Sequence, residues 1–226
     1  VSDATTEIVG TEDKKDQLNG FYHFPTVIYS IDKPEFLDDA KNACKKAIAK
    51  RKKDAKLDEI YPVYMTDNLF EYKGMDKLSQ YIGQTAWNIL SEQGYAMNDL
   101  NTVFTEFWCQ EHHKLSGMDQ HVHGYGSQIV GFYFVDCPED CSRVVFHDPR
   151  AGKVQINLPE TNMVNATAAS NLINFEPKEG MMMFTNAWLA HSFTRHSSNK
   201  PIRFIHFNLT VQQSIQLQVP APAEVV

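Results

Sequence analysis

The chain has 226 residues, 42% hydrophobic and 22% charged, which suits one domain with a sizeable core. Its 21 basic residues against 28 acidic ones leave a net charge of -7, which argues against a general nucleic-acid or anionic-membrane surface. No apolar run reaches the length of a membrane span, and the first residues lack the basic and apolar regions of a signal peptide, so a soluble cytoplasmic protein is expected.

Residues 1–19 are polar without periodicity and are expected to form a mobile tail ahead of a single domain, 20–226. Thr26 to Ser30 reads as a strand. Asp32, with Glu35 three positions on, reads as the capping box of a helix that buries Phe36, Leu37, Ala40, Ala43, Cys44, Ala47 and Ile48. The basic run from Lys45 to Lys53 is its solvated face, placed where the helix dipole favours cations. A second helix is predicted from Met75 to Gln93, with Leu78, Ile82, Ala86, Ile89 and Leu90 on one side and Gly94 as its stop. These helices, about 32–94, form a buttress.

From Asn101 the texture changes to short β-branched and aromatic runs. They are Thr102 to Gln110, Ile129 to Asp136, Arg143 to His147, Val154 to Leu158, Leu172 to Glu176, Met181 to Thr185 and Ile202 to Val211. Helices first and seven or eight strands afterwards predict a mainly β, α+β fold: a double-stranded β-helix, or cupin-like jelly roll, with its β core over about 101–211. The segments 57–73 and 159–171 are expected as loops that wall the site. Cys137 and Cys141 flank a turn, and no further ligands at zinc spacing accompany them.

The chemistry-bearing pattern is His121-Val-His123, a third histidine at His191, and Arg203 inside an apolar strand. On a strand, the period of two puts His121 and His123 on one face, able to chelate one ion. His191 follows the apolar run Met181 to Phe184 and is placed to cap a facing strand. An arginine within an apolar strand needs an anion. Strand alternation puts His206 on the face opposite Arg203, so His206 is expected outside the site, as are His147, His196, His112 and His113, of which His112 or His113 could still contact substrate.

This order, His-x-His, a distal His and an Arg about one strand later, resembles the non-haem iron(II), 2-oxoglutarate-dependent oxygenases. The segments His121 to Val135, Phe146 to Arg150 and Pro201 to Asn208 look like a largely uncharacterised group of them, some phage-encoded. The resemblance implies iron(II) on His121, His123 and His191, with 2-oxoglutarate as cosubstrate and O2 as oxidant. It further implies that Arg203 pairs with the far carboxylate of 2-oxoglutarate, with Tyr133 and Gln128 as further cosubstrate contacts. The reaction implied is oxidative decarboxylation to succinate coupled to hydroxylation of a small molecule or protein side chain. Most of the superfamily has an acid where this chain has His123; Asp119 and Asp148 are the carboxylates that could replace it, and rank below it. The halogenating branch has a small residue there, which His123 is not. Two readings stand beside this one: a three-histidine cupin-like dioxygenase that does not use 2-oxoglutarate, and a non-catalytic jelly-roll binding module.

Overall fold

The computed structural model describes residues 23–124, 126–156, 158–161 and 164–214, together with the backbone of two short strands near the start, β1 (Ala4–Glu7) and β2 (Gln17–Gly20), which pair antiparallel. The expectation of a mobile tail over 1–19 otherwise falls outside the described residues.

The chain continues through β3 (Ile28–Asp32), α1 (Leu37–Asp54), β4 (Val63–Asn68), α2 (Met75–Glu92), β5 (Leu100–His112), β6 (Met118–His121) and β7 (Ile129–Asp136). The remaining strands among the described residues are β8 (Val144–His147), β9 (Leu172–Phe175), β10 (Met181–Asn186), β11 (His191–Phe193) and β12 (Ile202–Gln213). Six strands form one antiparallel sheet in the order β3-β10-β7-β12-β5-β4, and four form a second, β6-β11-β8-β9. Two facing sheets of this kind make the jelly roll, with α1 and α2 behind the larger one.

Alternation along the larger sheet divides its side chains between two cores. Phe107, Cys109, Ile129, Tyr133, Val135, Met182, Phe184, Ile205 and Phe207 face the buried stripes of α1 and α2. Val130, Phe132, Phe134, Met181, Met183, Ile202 and Phe204 face the smaller sheet, meeting Val144, Phe146, Leu189 and Phe193. At Gly131 on β7, an added Cβ would collide with the Met183 carbonyl and the Phe207 ring, so the absence of a side chain makes room for that ring.

Local chemistry departs from the expectation in three places. Asp32 ends β3 and a 3-10 turn at Pro34–Phe36 precedes α1, whose start has no side-chain cap, so the capping box does not form. Pro34 fixes the entry into the helix instead. The expected strand from Val154 begins as a 3-10 turn, Ala151–Gln155, anchored by Arg150 and Lys153 on Asp148. The expected loop 57–73 contains β4, the edge strand beside β5. No helix among the described residues is long and apolar enough to cross a membrane.

Candidate metal centre

Three histidines meet at one end of the space between the sheets. β6 and β11 pair with His121 opposite His191, and the chain leaving β6 is held by the His123 amide donating to the Ala187 carbonyl at 3.0 Å. His123 therefore lies just past the strand and reaches the same point from the loop. Ligand atoms of the three residues lie within 4.8 Å of one another. Nε2 of His123 and Nε2 of His191 are 3.3 Å apart, with the rings stacked at 5.1 Å between centroids. Bonds of about 2.1 Å to one ion at right angles put neighbouring nitrogens about 3.0 Å apart, so this spacing suits adjacent ligands of a first-row metal.

The outer nitrogens explain which lone pairs are free. Nδ1 of His191 donates to the Leu189 carbonyl at 3.0 Å and Nδ1 of His121 to the Asp119 carbonyl at 2.8 Å, leaving both Nε2 atoms as acceptors pointed at the centre. Burial, reinforced by neighbouring imidazoles, pushes the pKa of His191 down to about 3 and that of His123 to about 4, so both are neutral at physiological pH, as ligands must be. Phe132 packs edge-on against His191 at 5.5 Å, and Phe146 lies 6.2 Å from it, giving the centre a dry inner wall.

The other predicted residues lie elsewhere. Arg203 projects from the opposite face of β12 toward α1, where Nε meets Glu111 at 2.5 Å and Nη1 meets Asp136 at 2.8 Å. Its anion is supplied by the protein itself. Tyr133 belongs to the helix-side core and donates its hydroxyl to the Lys33 carbonyl at 2.8 Å. Gln128 is exposed and turns back on the Gly126 carbonyl. Asp148 holds Arg150 and Lys153, and Asp119 contributes its backbone carbonyl to His121. The iron ligand set implied by the resemblance is thus brought together, while its cosubstrate set is not.

The positions of β12 that do look toward the histidines are Ile202, Phe204, His206 and Asn208, with no arginine or lysine among them. Contrary to the expectation, His206 stacks on His123 with 5.1 Å between centroids, and its Nε2 lies 3.0 Å from Oε2 of Glu106 on β5. Nδ2 of Asn208 bridges the same Glu106 oxygen at 2.5 Å and Nδ1 of His123 at 2.7 Å. Burial opposes the charge on Glu106, but the hydrogen bonds of His206 and Asn208 and the nearby imidazoles outweigh it and hold the carboxyl below its usual range. The period-two series Glu106, Trp108, Gln110, His112 was the available sequence signal for a polar stripe on this face.

His112 ends that stripe, fully buried, with its ring 5.2 Å from Phe204 and 5.7 Å from Phe193 and its Nε2 2.9 Å from Oε1 of Gln110. Burial pushes its pKa down to about 3. The unfolded chain therefore takes up a proton here between about pH 6.5 and 3 that the folded chain refuses, so the contribution is fully present above that window and lost as pH falls. Replacing His112 with Phe is expected to flatten the acid limb of stability by about 1.4 kcal/mol per pH unit, read from urea unfolding at pH 6 and pH 5. Equal slopes in the two proteins would contradict this.

Residues 106–208, which carry both sheets' inner strands and every histidine of the cluster, match a family model described as "Putative 2OG-Fe(II) oxygenase". The segment resembles the 2OG-Fe(II) oxygenases. Iron(II), 2-oxoglutarate and O2 are the cofactors that this family implies, and the three-histidine donor set fits the iron. Solved structures share the fold. A Pseudomonas putida prolyl-4-hydroxylase is 9% identical, over 82% of this chain and 92% of its own, with a TM-score of 0.55. AviO1 from Streptomyces viridochromogenes is 13% identical, over 87% and 93%, also at 0.55. A non-heme alpha ketoglutarate dependent carbocyclase from nogalamycin biosynthesis is 9% identical, over 85% and 84%, at 0.59. Comparison with curated proteins gives no match.

Proposed function

We propose that this 2OG-Fe(II) oxygenase-like chain is a dioxygenase of the hydroxylase type, with His121, His123 and His191 as its iron ligands. The observation that carries the reading is the convergence of three imidazoles, two with their outer nitrogens already committed to backbone carbonyls. When bound, iron(II) would supply open coordination positions for 2-oxoglutarate and O2 and would activate O2, the oxidant, for attack on a substrate C–H bond. The protein's part is to orient and to exclude. The Asp119 and Leu189 carbonyls fix two ligands, and Phe132 and Phe146 keep water from the inner side. Three neutral ligands leave the ion's full charge unneutralised, which strengthens its hold on a dianionic cosubstrate. Val122 and Trp188, about half exposed beside the ligands, offer the substrate, a small molecule or protein side chain, an apolar rim.

The second reading, a three-histidine dioxygenase that does not use 2-oxoglutarate, is favoured by one observation: Arg203 is engaged by Glu111 and Asp136. Oxygen-dependent conversion of 2-oxoglutarate to succinate by iron-loaded protein, lost in His191→Ala, is the result expected from the first reading. Oxygen consumption without succinate formation would transfer the assignment to the second.

A further inference from the structure

Behind the three histidines lies a second group of donors, Glu106, His123 and His206, whose ligand atoms also fall within 4.8 Å of one another. We propose that it is a second divalent-cation site, sharing His123 with the first, so that the chain holds two metal ions bridged by one imidazole.

The donor geometry carries the argument. Oε2 of Glu106 and Nε2 of His206 are 3.0 Å apart, the separation of adjacent ligands on an ion with bonds of about 2.1 Å. The ring of His123 turns its Nε2 to His191 and its Nδ1 to Asn208, so its two nitrogens serve opposite sides. On the second side, a carboxylate oxygen and an imidazole nitrogen converge on one small donor, Nδ2 of Asn208, at 2.5 and 2.7 Å. Two acceptors focused on one point describe a place for positive charge, which the amide fills in part.

A buried polar atom without a partner points the same way. Asn208 is 2% exposed, and its Oδ1 has no hydrogen-bond partner. Leaving the Asn208 amide oxygen unpaired costs about 1–3 kcal/mol, and an ion between Glu106 and His123 would give it a partner. Turning the Asn208 amide over presents Oδ1 to the ion. The set then becomes one carboxylate, one amide oxygen and two imidazoles, a mixture suited to a first-row divalent metal. Bridging requires His123 as the imidazolate, its proton released to solvent as the second ion binds. Glu106, with its side chain 32% exposed, gives the ion a way in.

The test is equilibrium dialysis of the full chain against cobalt(II), with bound metal measured by elemental analysis in wild type, Glu106→Gln and His191→Ala. The proposal expects Glu106→Gln to lose one equivalent that His191→Ala retains, with two equivalents in wild type. If the three-histidine centre took no cobalt, wild type and His191→Ala would each hold one and Glu106→Gln none, which would still support the second site. Glu106→Gln holding as much cobalt as wild type would overturn it, and so would one equivalent lost in both variants, which describes a single shared ion. His206→Gln repeats the comparison should Glu106→Gln fail to fold, as judged by circular dichroism.

Discussion

Replacing Arg203 with alanine is expected to lower the unfolding free energy by about 3 kcal/mol, because it removes a partner from a carboxylate that has no access to water. The Glu111 side chain is fully buried and is met from three directions, by Nε of Arg203, by Nζ of Lys52 at 2.8 Å and by Nε2 of His113 at 2.7 Å. Burial alone would raise the Glu111 pKa, yet its ion pairs bring it below the usual value, so the folded protein relies on that charge being matched. Arg203 also ties Glu111 to Asp136 on β7, and loses both contacts in the variant. Lys52 and His113 remain, which keeps the expected cost at the low end for a broken buried pair. Urea denaturation of metal-free protein measures it. Unchanged stability with loss of 2-oxoglutarate turnover would instead restore the cosubstrate role that the resemblance assigned to Arg203.

His191→Ala is expected to abolish iron binding at the three-histidine centre, since a pair of ligands in place of three leaves His121 and His123 without the group that closes the site. His191 is fully buried, its backbone is paired on both sides with His121 and Phe146, and its ring packs on Phe132. Truncation therefore also leaves a cavity, worth roughly 2–4 kcal/mol by analogy with large-to-small core changes, and His191→Gln keeps most of the volume while removing the imidazole. Iron retained with unchanged affinity in His191→Gln would exclude His191 as a ligand. His121→Ala, on the more open side, separates the two effects: iron is lost with little change in stability.

The two helices and most of the strands were legible because their signals are local: the apolar spacing of Leu78, Ile82, Ala86 and Ile89, or the unbroken run Ile129–Asp136. The three histidines could be grouped for the same reason, one pair by spacing and the third by the strand it follows. What local pattern could not supply was the inward face of β12. Alternation correctly separates Arg203 from His206, but both faces of this strand are apolar, Ile205 and Phe207 against the helices and Ile202 and Phe204 against the second sheet. A strand covered on both sides carries no polarity to say which side holds the site. The arginine drew the assignment because a buried guanidinium demands an anion, and that demand is met by Glu111, whose role depends on a pairing with β5 that only the tertiary fold creates. Tyr133 lies on the helix side with Arg203, since it pairs with Ile205 one alternation along β12. Glu106 and Asn208 were not singled out because neither is unusual alone. Their meaning comes from sitting opposite each other across the β5–β12 pair.

Whether the three-histidine centre takes iron and 2-oxoglutarate together is decided by anaerobic titration of the iron(II)-loaded protein with 2-oxoglutarate while the visible metal-to-ligand charge-transfer region is recorded. A weak band is expected that grows to saturation with 2-oxoglutarate, is absent in His191→Gln and fades when oxygen is admitted. Iron bound in full with no band at any concentration of 2-oxoglutarate would contradict that reading.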